Sequence, residues 1–289
     1  MTPTPFFGYA NYDELNAQYD IEATIPDFGA FVNRIVSASE DARATLTTRL
    51  DVRFGPTLAE TYDVFYPTKT NDAGKAPALF FVHGGFWKAT TSKEWSYVAK
   101  GLCEMGFVVI VESYALRPHV TISEIVRQHR AAFAHFWAHA DEYGVDKDRI
   151  VVAGHSAGGH AVAALLETQW DTDYGLPAEP IKAGIPVSGL FDLRPLQQTS
   201  FGPILGMSDA EAIALSPMLS LPRSKRITAV IYGTQETPEF ERQSTDFAAA
   251  LLEEKQNVEV LPLAHNHFTI LDELADKDGA IARQVLAVA

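Results

Sequence analysis

From about residue 48 onward, short apolar runs alternate with longer amphipathic segments. The runs are rich in Val, Ile and Phe and are bounded by Gly and polar residues, which is typical of β-strands. The first two alternate in polarity and indicate antiparallel edge strands, whereas most later runs are nearly continuous and indicate parallel strands covered on both faces. The eight predicted strands are LDVRFG, TYDVFYP, ALFFVHG, FVVIVESY, RIVVAGH, AGIPVSG, ITAVIYG and VEVLPL.

The amphipathic segments between the strands have helical spacing. TISEIVRQHRAAFAHFWAHADEYG begins with a capping box, Thr121 and Glu124, and stops at Gly144. PEFERQSTDFAAALLEEKQ places Pro238 in a first helical turn, where proline is favoured. This alternation predicts a single α/β domain over residues 1–289, with an eight-stranded, mostly parallel sheet and helices on both faces. Residues 1–45 depart from the alternation and predict a helical N-terminal extension.

Composition narrows the class of protein. The 289 residues are 47% hydrophobic and 21% charged, which is usual for a globular protein in water. No apolar run approaches the ~18 residues of a membrane span, and the first residues lack the pattern of a secretory signal. A formal net charge of −14 argues against a nucleic-acid partner. The single cysteine, Cys103, excludes an internal disulfide, so we expect a cytoplasmic protein.

A serine between glycines joins the fifth predicted strand to the next helix. The stretch VVAGHSAGGHAV carries Gly154, Ser156 and Gly158 in Gly-x-Ser-x-Gly spacing. In a nucleophile elbow the serine takes strained backbone angles, and bulk at the glycine positions would collide with the strand and the helix. The motif also recurs by chance, and a structural turn is the alternative. Its place between a buried strand and an Ala-rich helix favours Ser156 as a nucleophile.

A second glycine-rich stretch, LFFVHGGFWK, contains the end of the third predicted strand. Glycines there let bare backbone N–H groups approach the oxygen of a tetrahedral intermediate. We expect the oxyanion to be held by the amides of Gly85, Phe86 and Ala157, with Gly84 as the substitute donor. The residues that we expect to bind substrate, with core packing as the alternative, are His83, Gly84, Trp87 and His160.

Chain order selects the base that an activated serine needs. In folds with such an elbow the histidine follows both the nucleophile and the acid. Only His265 and His267 follow the last predicted strand, and we choose His267 because it directly precedes a helix start. The His-x-His pair would also suit a metal, but no further cluster of ligands accompanies it, so we predict no metal site.

The acid is expected after the penultimate strand, ITAVIYG. The following segment, TQETPEFERQS, supplies Glu236, Glu239 and Glu241. Glu236 is nearest the strand end, where a carboxylate would fix the tautomer of His267, so we choose it and keep Glu239 as the alternative. Because Glu239 and Glu241 begin a helix, we expect both to project partly into solvent. All three would also suit the positive end of the helix dipole without any catalytic role.

HGGFW and GHSAGGH together resemble the arylformamidase (kynurenine formamidase) branch of the α/β-hydrolases. The similarity extends to QYDIEATIPDF near the N-terminus and to SYALRPHVTISEIVRQ after the fourth strand. It includes VSGLFDLRPL and ALSPM in an insertion near the active site, at about residues 190–222, and continues through TPEFERQS and HNHFTILDEL. The combination is more specific than any single motif.

The resemblance implies an α/β-hydrolase fold with a Ser156–Glu236–His267 triad and no metal or other cofactor. It also implies an aryl-N-formyl amide such as N-formylkynurenine as substrate. Members commonly carry Asp where Glu236 stands, and related sequences include esterases, so a carboxylesterase acting on short-chain or aryl esters is the alternative. A binding protein that has lost catalysis is the third reading. We expect a small-molecule substrate, no nucleic-acid or membrane partner and, from base rates, a homodimer.

Overall fold

Eight strands form one sheet at the centre of the molecule. The computed structural model describes residues 5–69 and 74–289. The strands are β1 (Thr48–Arg53), β2 (Thr61–Phe65), β3 (Ala76–Val82), β4 (Val108–Glu112), β5 (Val145–His155), β6 (Ala183–Val187), β7 (Ala229–Gly233) and β8 (Glu259–Leu263). Their order is β1-β2-β4-β3-β5-β6-β7-β8. β2 pairs antiparallel with both β1 and β4, and the remaining pairs are parallel, which confirms the predicted sheet.

Burial along the strands follows their place in the sheet. β4, β6 and β7 are buried along their whole length, as their continuous apolar sequences predict. β1 and β8 are mostly exposed, because each pairs on one side only. The antiparallel orientation predicted for the first two strands is right, but only β1 lies at the edge. β2 is buried beyond Thr61 because β1 extends the sheet past it.

Helices cover the sheet. The longest connecting helix begins after Thr121, whose side chain accepts from the Glu124 N–H at 3.1 Å. Only this half of the predicted capping box forms, because the Glu124 carboxylate binds Arg127 and Gln128. Within the described residues, no helix has the length and apolar character to cross a membrane. The helices are α1 (Tyr12–Tyr19), α2 (Phe28–Thr45), α3 (Ser92–Trp95), α4 (Ala99–Glu104), α5 (Ile122–His139), α6 (Ala157–Glu167), α7 (Trp170–Asp173), α8 (Gly202–Leu205), α9 (Asp209–Ala214), α10 (Pro238–Glu253), α11 (Asp272–Ala275) and α12 (Ala280–Val288).

The N-terminal segment packs against elements that follow the carboxyl ends of the parallel strands. It contains α1, α2 and a 3₁₀ turn at Ile21–Thr24 between them. α2 packs on α3 and on the next turn, Ser96–Val98, both of which follow β3. α1 packs on α10, which follows β7, and on the turn Pro195–Gln198. The segment therefore crosses the edge of the sheet where ligands bind in open α/β folds.

Candidate active site

Ser156 occupies the turn between β5 and α6, in a backbone conformation that is strained for a residue with a side chain. Its φ is 58° and its ψ is −118°. Such a conformation costs about 1–3 kcal/mol and persists only where the surroundings enforce it. The Ser156 N–H donates to the carbonyl of Val187 at 2.9 Å, which ties the turn to β6. The Ser156 Oγ is buried and has no hydrogen-bond partner among the described residues.

Glycines leave the room that this turn requires. A Cβ on Gly154 would lie 2.2 Å from the carbonyl oxygen of Gly158, and a Cβ on Gly158 would lie 2.0 Å from that of Val82. A Cβ on Gly84 would lie 2.9 Å from the Cβ of Ser156. These separations are well below van der Waals contact, so a side chain at any of the three positions would displace the elbow or the loop after β3.

Glu236 and His267 form a buried pair at the same edge of the sheet. Glu236 follows β7 and His267 follows β8. The Nδ1 of His267 lies 2.9 Å from the Oε2 of Glu236, and the two side chains are 3% and 0% exposed. Because an ionised carboxylate only accepts, this contact assigns the proton of the neutral imidazole to Nδ1 and leaves Nε2 able to accept one.

The second oxygen of Glu236 has partners of its own. Its Oε1 accepts from the Gly233 N–H at 2.8 Å and from the hydroxyl of Ser188. Hydrogen-bond donors to an ionised carboxylate offset the loss of water around it, so this charge is stabilised although it is fully buried. Ser188 was not singled out from the sequence, where a serine after β6 gives no signal of this contact.

The loop after β3 is folded tightly beside the serine. Gly85, Phe86 and Trp87 have φ values of 114°, 48° and 55°. A Cβ on Gly85 would lie 2.4 Å from the Ala89 carbonyl oxygen. No acceptor within the described residues is found for the amides of Gly85 and Phe86, and Ala157 begins α6, where the first N–H groups lack helical partners. All three amides therefore have no acceptor among the described residues, and the assignment of the oxyanion to them stays a prediction.

The structure buries three of the four residues predicted to bind substrate in the protein interior rather than in the pocket wall. His83, Trp87 and His160 are buried and do not line the pocket that contains Ser156. Burial lowers the pKa of His83 to about 3 and that of His160 to about 4, so both rings are neutral. Gly84 packs against Ser156 and is likewise absent from the lining.

Each of these side chains has a packing role that the motifs could not distinguish from ligand contact. The His83 ring stacks on Tyr114, with centroids 4.3 Å apart. The Nε2 of His160 donates to the carbonyl of Leu215 at 2.8 Å, and the ring meets Trp87 edge-on. These contacts lie in the protein interior, so the expectation of direct substrate contact is corrected.

Ser156 and His267 open into a pocket of about 660 Å³, part of it open to solvent. Part of its wall comes from the loop after β3 and from α3. A similar part comes from the N-terminal segment, which the sequence did not assign to the site, and the rest from the turns that carry Ser156 and His267. The residues that this segment contributes are Ile21, Glu22, Phe28, Phe31, Val32 and Ile35.

Aromatic side chains make up much of the wall. Phe31 packs on Phe268, with ring centroids 4.9 Å apart, and both line the pocket. Phe86 and Trp95 also line it, whereas Tyr97 is buried outside it. An apolar, aromatic pocket with a few polar groups at its base suits an aromatic ligand.

His155 lies beside His267, and both line the pocket. Its ring centroid is 4.5 Å from that of His267. Burial lowers the pKa of His155 well below its usual value, and the nearby His267 lowers it further. A neutral His155 therefore adds no positive charge next to the imidazolium that His267 would become.

The other histidine of the pair has a separate role. The Nε2 of His265 lies 2.9 Å from the Oε1 of Glu273, and its Nδ1 lies 3.2 Å from the hydroxyl of Thr269. His265 does not line the pocket. Across the described residues, no group of three or more His, Cys, Asp or Glu side chains is arranged to hold a metal ion.

Glu239, the alternative acid, does not contact His267. Contrary to the expectation that it projects into solvent, it is fully buried. It accepts from the hydroxyl of Tyr19 at 2.7 Å and from that of Tyr9 at 3.1 Å, and it forms two hydrogen bonds with Arg242. Burial and then the charge of Glu239 raise the pKa of Tyr9 to about 12, so the phenol stays a donor. Glu241 is exposed, as expected.

The chain is similar to known hydrolases, among them kynurenine formamidases and esterases. A protein-family model described as BD-FAE matches residues 62–249. The kynurenine formamidase of Danio rerio is 28% identical over 286 residues, which are 95% of this chain and 95% of the relative. An esterase of Gibberella moniliformis is 26% identical over 196 residues, which are 62% of this chain and 60% of the relative.

A solved structure shows the same fold. The crystal structure of a putative thioesterase from Silicibacter sp. TM1040 is 32% identical in sequence and superposes with a TM-score of 0.81. The match covers 95% of this chain and 98% of that one. The similarity therefore includes the N-terminal segment as well as the sheet.

Proposed function

Because the chain belongs to the BD-FAE family and is a serine hydrolase of the α/β-hydrolase fold, we propose that it is an arylformamidase. It removes the formyl group from an aryl amine, and N-formylkynurenine is the candidate substrate. The observation that carries the proposal is the buried Glu236–His267 hydrogen bond at the foot of an aromatic pocket that also contains Ser156.

The proposed nucleophile is Ser156. His267 accepts the proton of its hydroxyl through Nε2 while Oγ attacks the formyl carbon. Glu236 holds the imidazole in the required tautomer and stabilises the imidazolium that forms. Because Glu236 is already fixed by Gly233 and Ser188, it needs no rearrangement during the reaction.

The oxyanion of the tetrahedral intermediate is assigned to the amides of Gly85, Phe86 and Ala157. These donors are held by the strained loop and by the start of α6, so they are oriented before the substrate arrives. Loss of one such donor costs ~3 kcal/mol of transition-state stabilisation in other enzymes. The loop should therefore affect turnover nearly as much as the triad.

Collapse of the intermediate releases the aryl amine, which takes its proton from the imidazolium of His267. Water then enters, His267 accepts a proton from it, and attack on the formyl ester of Ser156 releases formate. The aromatic wall formed by Phe31, Trp95 and Phe268 would hold the departing ring. The cycle needs no cofactor.

The test compares an aryl formamide with an aryl acetate. Because an aryl ester is intrinsically more reactive, kcat/KM of each is divided by its uncatalysed rate. We expect the larger enhancement for N-formylkynurenine. If N-formylkynurenine is hydrolysed no faster than without enzyme while phenyl acetate is hydrolysed rapidly, the proposal is contradicted. That result would favour the alternative, a carboxylesterase, which the similarity to the Gibberella moniliformis esterase supports.

We also propose a cytoplasmic location. The supporting observation is Cys103, the single cysteine of the chain, which is a buried free thiol. Burial raises the pKa of Cys103 to about 12, which keeps the side chain a thiol and makes it a poor nucleophile.

A further inference from the structure

A groove continues the pocket towards the insertion that follows β6. Four residues line both cavities: Ile21, Glu22, Phe86 and Lys88. The far side of the groove includes Phe201. A ligand whose ring fills the pocket can therefore extend a substituent into the groove beside the oxyanion loop.

Lys88 places a positive charge without an ion-pair partner where the pocket meets the groove. Its ammonium forms no ion pair or hydrogen bond within the described residues and instead lies 5.4 Å from the centroid of the Phe201 ring. Lys93, on the same side of the sheet, is by contrast engaged by Asp51 and Asp63. Of the described residues that line the pocket or the groove, Lys88 is the only Lys or Arg.

The position of Lys88 is fixed relative to the proposed oxyanion site. Its backbone N–H donates to the carbonyl of Gly85 at 3.0 Å, which closes the turn of the oxyanion loop. The Phe201 ring beneath its ammonium stacks on Phe86, with centroids 4.2 Å apart. A cation held over an aromatic face keeps its charge without neutralisation by a carboxylate, so it can still attract an anion.

The same groove also carries negative charge. Asp20 and Glu22 both line it, and no hydrogen bond or ion pair engages either carboxylate among the described residues. A ligand with a lone carboxylate would be attracted by Lys88 and repelled by the acidic side chains. A ligand that carries an ammonium next to its carboxylate satisfies both signs of charge.

We propose that Lys88 and Glu22 recognise the charged head group of an α-amino acid attached to the leaving aryl amine. Lys88 binds its carboxylate and Glu22 binds its ammonium. This inference rests on the proposed arylformamidase function and assigns to these two side chains the selection of one aryl formamide over others.

Three aryl formamides that differ only in the head group test the proposal. N-formylkynurenine carries both charges, N-formylkynuramine lacks the carboxylate, and 3-(2-formamidobenzoyl)propanoate lacks the ammonium. The readouts are two ratios of kcat/KM, each with N-formylkynurenine as numerator. The carboxylate ratio has N-formylkynuramine as denominator, and the ammonium ratio has the propanoate.

Lys88→Met should lower the carboxylate ratio about tenfold, because it removes a charge-assisted contact in a half-exposed site. It should leave the ammonium ratio within twofold of the wild-type value. Glu22→Gln should do the reverse. Lys182→Met is the matched control, because Lys182 is exposed and precedes β6 at the opposite edge of the sheet. It should change neither ratio. Added salt should lower the carboxylate ratio of the wild type more than that of Lys88→Met.

The proposal fails if Lys88→Met leaves the carboxylate ratio within twofold. It also fails if Lys88→Met lowers both ratios alike, because the effect would then not depend on the carboxylate; a general loss of activity cancels in both ratios. If the wild type cleaves none of the formamides, the proposed function fails and Lys88 is tested separately. The substrates are then 3-(4-acetoxyphenyl)propanoate and its propanamide. An unchanged acid-to-amide ratio in Lys88→Met would overturn the assignment of Lys88 there as well.

Discussion

The two oxygens of Glu236 have different partners, and this decides what a substitution there would do. Oε2 faces the Nδ1–H of His267, and Oε1 receives the Gly233 N–H and the Ser188 hydroxyl. A glutamine has one acceptor and one donor end. If its NH₂ group faces Gly233 and Ser188, it meets two other donors and cannot accept from them. If it faces Nδ1 of His267, it donates to that nitrogen and favours the tautomer with the proton on Nε2.

Glu236→Gln should therefore lower kcat by several orders of magnitude, since the corresponding change in another triad costs ~10⁴-fold. Glu236→Asp should lower kcat less, because aspartate keeps the negative charge although its side chain is shorter. Steady-state kinetics measures the effect on purified variants that are folded like the wild type. Glu241→Gln is the control and should remain near wild type, because Glu241 is exposed. Wild-type kcat in Glu236→Gln would remove Glu236 as the acid.

At this scale the sequence predicts the local constraints well. Gly154 is required by a backbone contact within its own motif, and Gly158 by one with Val82 of the other glycine-rich stretch, so the two patterns together carry the geometry. Whether His83 and His160 face the pocket or the core depends on Tyr114 and Leu215, which are distant in sequence. Such packing leaves no mark on a short motif, and the prediction of substrate contact was wrong for that reason.

Among the elements, α10 and the N-terminal segment are joined by a buried charge. Glu239 on α10 binds Tyr19 at the end of α1, and Ile21 of the following turn lines the pocket. Arg242 donates two further hydrogen bonds to the same carboxylate. Glu239 therefore holds the pocket wall in place and does not contact His267.

Glu239→Gln should lower the free energy of unfolding by about 2–4 kcal/mol, because it leaves the charge of Arg242 without its buried partner. The kcat of the folded variant should stay within tenfold of wild type. Urea unfolding and kinetics measure the two effects, with Glu241→Gln as the control. A stable Glu239→Gln variant that has lost its turnover would instead support Glu239 as the catalytic acid.

α2 supplies Phe31, whose ring packs on Phe268 in the loop that carries His267. Because Phe31 contacts Phe268 next to His267, Phe31→Leu should raise KM for an aryl formamide several-fold and change kcat less. Tyr12→Leu is the control, since Tyr12 is 44% exposed and lies outside the pocket lining. Equal KM values for Phe31→Leu and wild type would remove α2 from the binding wall.

The helices of this segment could be predicted from the sequence, but their position over the site could not. Their own periodicity indicates which face is apolar and does not say which surface that face covers. That surface is set by contacts across more than 200 residues, such as Tyr19 with Glu239 and Thr237 with Gln18. About a third of the pocket-lining residues were missed for this reason.

For the whole molecule, buried neutral histidines couple stability to pH. His83 and His160 have folded pKa values of about 3 and about 4, below the ordinary value of about 6.5. The unfolded chain therefore binds protons that the folded protein cannot. Their contribution to stability is complete above pH 6.5 and is lost progressively below it, down to about pH 4 for His160 and about pH 3 for His83.

The free energy of unfolding should thus fall by about 2 kcal/mol for each of these histidines between pH 7 and pH 5. Urea titrations across this range measure the slope. His160→Asn removes one titrating group and should show a shallower slope than wild type, whatever its stability at pH 7. A flat profile for the wild type between pH 7 and pH 5 would contradict the neutral burial of these rings.

The central claim, that Ser156 is the nucleophile activated by His267, is tested most directly by covalent labelling. A fluorophosphonate reacts only with an activated serine, and peptide mapping by mass spectrometry identifies the residue that carries it. The account predicts one label per chain on Ser156, no label in Ser156→Ala, and much slower labelling in His267→Ala although Ser156 remains present. A label on another serine, or wild-type labelling rates in His267→Ala, would contradict it.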